Sequence, residues 1–132
     1  MKQAQSMYRV AAAVAALAVG LAAGTSARAA DAAGGKALFD KTCANCHSTE
    51  AGVNKVGPTL FDIVNRPIAS IPGYDYSKKM QTVGKQWKVW DQKNLNAYLA
   101  NPRQVLHGVK MFFAVPDGKA RADVIEYLNT LK

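Results

Sequence analysis

The five residues Cys43-Ala44-Asn45-Cys46-His47 hold both cysteines and one of the two histidines of the chain. Two thiols followed directly by an imidazole suit three chemistries: a redox dithiol, part of a zinc site, or covalent attachment of a haem. Zinc needs four ligands, and beyond the N-terminal segment the soft donors are only Cys43, Cys46, His47 and His107, with no second C-x-x-C pair. A thioredoxin-like dithiol calls for a βαβ pattern around the motif, and none is present. Haem attachment needs two thiols on one side of a helical turn, each forming a thioether with a vinyl group. It also needs a histidine one step further on, whose ring can reach the iron. C-x-x-C-H meets all of these requirements.

The second axial position of such an iron separates a carrier from a catalyst. Met80, Met111 and His107 are the candidates, with lysines as weaker options. Met80 lies in an expected helical turn beside Lys78 and Lys79, where packing is the ordinary use of a methionine. Met111 lies in His107-Gly108-Val109-Lys110-Met111-Phe112-Phe113, a stretch without helical periodicity, and two phenylalanines follow it. A thioether is soft and a weak σ-donor, so as a ligand it favours Fe(II) and raises the reduction potential. If protein atoms fill both positions, only outer-sphere electron transfer remains. An open sixth position would instead suit a peroxidase or a ligand sensor.

The elements that must position these residues follow from pattern. Lys2 and Arg9, the apolar run Val10–Ala23 and then Ala27-Arg28-Ala29 have the order of a secretory signal peptide, cleaved after Ala29. Fourteen apolar residues that include Gly20 are short for a membrane span. Residues 30–132 would then form one exported domain of 103 residues. Cleavage removes three of 17 basic residues and none of nine acids, leaving a net charge of +5. A moderately basic exported protein suits an acidic partner surface, and its scattered lysines argue against nucleic acid.

Within that domain the periodicity predicts helices and loops with no run of alternating strands. A first helix is expected from Gly34 to about Cys46, with Ala37, Leu38 and Phe39 as its apolar content. Turn signals fill residues 48–86, apart from one or two helical turns between Tyr76 and Val83. Asp91 caps a helix that presents Leu95, Tyr98 and Leu99 and ends at Pro102. Residues 102–118 read as loop, and Ala120, Val124, Tyr127, Leu128 and Leu131 mark an amphipathic C-terminal helix. So few helices and such long loops need a surface to pack on, and a flat apolar cofactor would supply one.

From about Gly34 to Leu131 the chain resembles class I c-type cytochromes of the bacterial periplasmic, cytochrome c2 and mitochondrial type. Besides Cys43, Cys46 and His47, the matching segments are "VGPTL", "PGYDYS", the tryptophan of "GKQW", "LNAYLANP" and "VKMFFA". The resemblance implies an all-α fold of helices and long loops around one covalently bound haem c, with the N- and C-terminal helices crossing. It assigns Pro58 the carbonyl that accepts a hydrogen bond from the proximal His47. Tyr76 and Trp87, with Arg66 nearby, fall in the propionate region, Tyr98 lies beside the haem, and Met111 falls on the iron. His107 then lies at the loop's entry, away from the metal.

The function implied is a diffusible, monomeric one-electron carrier rather than an enzyme. Its partners would be redox proteins with acidic docking surfaces: a membrane oxidase, a bc1-type complex, a reaction centre or a periplasmic dehydrogenase. Lys55, Arg103, Lys110 and Lys119 would form the basic face around the haem edge. In the helix crossing, Gly35 would let Tyr127 approach while Phe39 packs near Val124. The chain departs from the family pattern where His107-Gly108-Val109-Lys110-Met111 replaces "PGTKM", at Thr42, and in the added Val89-Trp90-Asp91 region.

Overall fold

The structure is a computed structural model that describes residues 28–132. The expected leader, 1–29, lies outside the described residues except for its last two positions. Helix α1 (Ala32–Thr42) passes into a 3-10 turn at Cys43–Asn45, and α2 (Lys78–Trp87), α3 (Gln92–Ala100), α4 (Pro102–Val105) and α5 (Gly118–Asn129) follow. Among the described residues there is no strand, only an isolated bridge between Pro67 and Val89. No helix among them is long and apolar enough to cross a membrane.

Side-chain caps explain most of the helix starts. Asp31, Ser77, Asp91 and Asp117 each accept a backbone N–H from the first turn that follows. Helix α2 is longer than the one or two turns expected, running on from its Ser77 cap through Gly84 to Trp87. Pro102, expected to end α3 and open a loop, instead begins α4. Asn101 caps Gln104, and a proline in the first turn gives up an N–H that has no helical partner there. The first helix also ends earlier than expected, so Cys43 is its C-cap and Cys46 lies beyond the 3-10 turn.

Helices α1 and α5 cross at contact distance. A Cβ on Gly35 would overlap the carbonyl oxygen of Asp123 and come 2.9 Å from the Cα of Val124. Gly35 meets the α5 backbone at Asp123–Val124, and Phe39 shares the core cluster with Val124, as expected. Phe39 packs edge-on against Tyr127, ring centroids 5.3 Å apart. Above the crossing, Asp123 accepts the N–H of Asp31 at 2.7 Å and pairs with Lys119. Ala37, part of the apolar content of α1, is exposed, and Ile125 joins Val124 and Leu128 inside α5.

One apolar cluster holds the long loops to these helices. It includes Phe39, Ile63, Ile68, Trp90, Tyr98, Leu106 and Val124, with Cys43, Leu60, Met80, Trp87, Val109 and Met111 packed against it. Backbone bonds close the loops: Trp90 donates to Arg66 O, Asn65 to Trp90 O, Ile68 to Lys88 O and Val115 to Leu99 O, all between 2.8 and 2.9 Å. The Val89-Trp90-Asp91 stretch thus serves as the bracket for the loop that carries Arg66.

Candidate functional site

The C-x-x-C-H segment is wound tightly. Both Cys46 N–H and His47 N–H donate to the Cys43 carbonyl, at 3.0 and 2.9 Å. Cys43 is partly buried and Cys46 exposed, and both thiols are free. Burial pushes the Cys43 thiol above its ordinary value, opposed by its contact with the Thr42 hydroxyl. Lys55 reaches back to the Ala44 carbonyl at 2.8 Å, fastening the following loop to the turn.

His47 is oriented by its ring Nδ1, which lies 2.8 Å from the Pro58 carbonyl oxygen, the acceptor expected from the sequence. Because a carbonyl can only accept, Nδ1 carries the proton and Nε2 keeps its lone pair. Burial pushes the imidazole pKa down, against the opposing hydrogen bond to Pro58; Arg66 and Lys55 add smaller depressions. The ring is therefore neutral at pH 7, the form that binds a metal. Two bonds stiffen the loop behind it: Gly57 N–H to Cys46 O at 2.8 Å and Thr59 Oγ1 to Glu50 O at 2.7 Å.

Gly57 and Thr59 flank Pro58 in the same "VGPTL" segment. Gly57 is buried against the His47 ring and Thr59 is 1% exposed; its hydroxyl accepts from Phe61 N–H and its backbone N–H donates to Asn54 Oδ1. A glycine directly before the acceptor proline was the available signal for close approach. Thr59 carried none, because a buried hydroxyl is recognised only by the carbonyls that surround it.

Of the other expected residues, Arg66 donates from Nη1 to Phe61 O at 2.7 Å and from Nη2 to Thr59 O at 2.9 Å. Its Nε is buried with no partner. An unpaired buried donor on a cation is costly, and an anionic group would satisfy it. Burial lowers the Arg66 pKa, partly offset by Tyr76. The Tyr76 hydroxyl accepts from Ile71 N–H at 3.4 Å, so Arg66 and Tyr76 interact through space rather than through a hydrogen bond to each other.

Trp87 and Tyr98 are connected through Trp90. Ring centroids are 6.4 Å apart for Trp87–Trp90 and 5.1 Å for Trp90–Tyr98. Asn94 holds the corner by donating to Val89 O at 2.9 Å and to Trp87 O at 3.3 Å. The pKa of Tyr98 is pushed up to about 12, chiefly by burial, so its phenol stays protonated. Met111 is half-buried on the same apolar cluster, whereas His107 and Phe112 are exposed. Of the exposed apolar residues Val53, Val56, Phe112 and Phe113, the last three lie at site segments, "VGPTL" and the stretch after Met111.

These features suit a haem of the thioether-linked kind: two free thiols in one turn, a neutral imidazole held by its far nitrogen, and an unpaired buried guanidinium nitrogen. The cytochrome c family profile matches residues 32–132. The chain belongs to the cytochrome c family. It is 40% identical over 103 residues to the cytochrome c of Euglena viridis, covering 77% of this chain and 98% of that protein. It is 41% identical over 99 residues to the cytochrome c2 of Rhodopila globiformis, covering 74% and 91%. The solved structure of cytochrome c2 from Rhodospirillum centenum superposes with a TM-score of 0.69 at 33% identity, covering 77% of this chain and 98% of that one. As a cytochrome c, the protein carries one covalently bound haem c and transfers electrons rather than transforming a substrate. Its all-α architecture is that of the class I fold.

Proposed function

We propose that this cytochrome c is an exported, periplasmic one-electron carrier whose haem is linked through Cys43 and Cys46 and ligated by His47 and Met111. The observation that carries the reading is the His47–Pro58 bond of 2.8 Å, which leaves Nε2 unengaged one residue from a free thiol. When bound, haem c supplies the Fe(III)/Fe(II) couple. Around it, this chain's residues act on charge and water. Pro58 fixes the His47 tautomer and makes Nε2 more basic. Arg66 offers a buried donor to an anion, the role proposed for it toward a propionate, with Tyr76 and Trp87 in the same region. Tyr98, protonated and buried beside Trp90, adds no charge to the interior.

Met111 is favoured over His107 by exposure. The thioether packs on the apolar cluster, while the imidazole faces solvent and its backbone carbonyl is engaged by Lys79. Met80 packs on that cluster from α2, as a core methionine does. The ligand set is tested by the ferric optical spectrum. The weak far-red sulfur-to-iron charge-transfer band should be present, vanish in Met111→Ala and survive in His107→Ala. Loss of low-spin character in His107→Ala, with Met111→Ala spectrally silent, would reverse the assignment.

The docking face expected from the sequence is narrowed by the ion pairs. Lys119 is paired with Asp123, whereas Lys55, Arg103 and Lys110 have no carboxylate partner among the described residues, and Arg103 lies over the Phe112 ring. A redox partner with an acidic surface fits this face.

A further inference from the structure

The Nζ of Lys79 donates to the carbonyl oxygen of His107, across 28 residues of sequence. Lys79 belongs to the first turn of α2, which contains no acidic residue but two lysines. Cations there oppose the helix dipole, so the local helix gains nothing from Lys79. The return lies at its far end. His107 opens a turn closed by Val109 N–H to Leu106 O at 3.1 Å, with Gly108 at φ 80°. A Cβ at Gly108 would stand 3.6 Å from the same ammonium, so Nζ lies against two successive residues of the turn. Met111 follows three positions later.

We propose that Lys79 is a latch that positions the Met111 loop, holding its entry turn against α2. The proposal rests on Met111 as the sixth ligand. Helix α2 is a firm anchor: Ser77 caps it, and Met80 and Val83 tie it into the core. The 107–111 loop, by contrast, is held among the described residues by Leu106, Val109 and Met111 on the apolar cluster and by this contact from outside. Because the latch uses a backbone carbonyl, the His107 side chain is left free to face solvent. A contact made only in the closed loop raises the closed fraction by its own equilibrium factor, and an exogenous ligand binds only to the open fraction.

The test is imidazole binding to the ferric holoprotein. Lys79→Met should bind imidazole about three- to tenfold more tightly than wild type, the range expected for one exposed charge-assisted hydrogen bond. Lys79→Arg, which keeps a cationic donor, should stay within about twofold of wild type. Lys78→Met removes the same charge from the same turn and should change nothing. Equal affinities for Lys79→Met and Lys78→Met would overturn the latch. Amide exchange at Val109 gives a second readout that needs no added ligand: it should quicken in Lys79→Met and not in Lys78→Met. If Met111→Ala left the ferric spectrum unchanged, the ligand reading would fail, and Val109 exchange would still decide whether Lys79 holds the turn.

Discussion

Gly57 lies flat against the imidazole of His47: a Cβ at position 57 would overlap Cε1 and stand 2.7 Å from Nδ1 and 2.9 Å from Nε2. The contact lies one residue from the carbonyl that orients the ring. No side chain fits there unless the ring or the loop moves. In Gly57→Ala the ring must tilt, which lengthens the 2.8 Å bond to Pro58 and misdirects Nε2. The variant should give less holoprotein and a high-spin component in the ferric spectrum. A wild-type spectrum together with a wild-type melting temperature would show that the ring has room to spare.

The crossing of α1 and α5 sets a second test. At Gly35 a methyl group would collide with the Asp123 carbonyl, which is backbone and cannot rotate away. Overpacking of this kind costs about 1–3 kcal/mol. For a domain of this size that is a fall in Tm of roughly 5–20 °C. Gly35→Val should melt in that range below wild type while its far-red band is retained at low temperature. An unchanged Tm would mean that the helices separate easily.

The charge above that crossing should make stability depend on pH. Lys119 and, after it, the Asp31 N–H hold the Asp123 carboxyl below its ordinary 3.8. With a folded-state pKa below the unfolded one, the carboxylate stabilises the fold above about pH 4, and this contribution is lost as pH falls through the folded value. Asp123→Asn keeps an acceptor for Asp31 but removes the charge. The Tm gap between wild type and Asp123→Asn should be widest near neutral pH and close in acid. A gap independent of pH would mean that the carboxylate is not coupled to Lys119.

The cofactor site was legible because its chemistry is local. Cys43, Cys46 and His47 are adjacent in sequence, and Pro58 stands in a segment whose pattern is distinctive. Helix starts were legible where a cap stood alone, as at Asp91. Pro102 misled because a proline that stops one helix can open the next when Asn101 supplies the cap. The contact of Gly35 with the α5 backbone and the edge-on packing of Phe39 on Tyr127 were beyond reach, since helical spacing gives a face but not the depth of a crossing. Trp90 drew notice only as part of added sequence. Its place between Trp87 and Tyr98 comes from the Arg66 bracket, a long-range backbone pairing without sequence periodicity.

Long-range pairing also decides which cations a partner would meet. Lys119 is matched by Asp123, which is matched in turn by nothing else of positive charge in the ion pairs of the described residues. Arg103 stacks over the ring of Phe112 at 5.2 Å, and that ring is 76% exposed. Neither Arg103 nor Lys110 has a carboxylate partner among the described residues. Steering by such charges acts on the association rate, and the Debye length shrinks from about 10 Å at 0.1 M to about 3 Å at 1 M salt. Oxidation by an acidic redox partner should therefore slow as ionic strength rises. Arg103→Gln and Lys110→Gln should each flatten that salt dependence, because each removes an unpaired charge beside the exposed ring. Lys119→Gln removes the same unit of charge, but at the α1–α5 crossing rather than beside the exposed ring, so with screening over about 10 Å it should flatten the slope less. Stopped-flow rates across a salt series separate the cases. An equal flattening in all three variants would mean that net charge alone steers the encounter, and a flat wild-type profile would remove the basic face altogether.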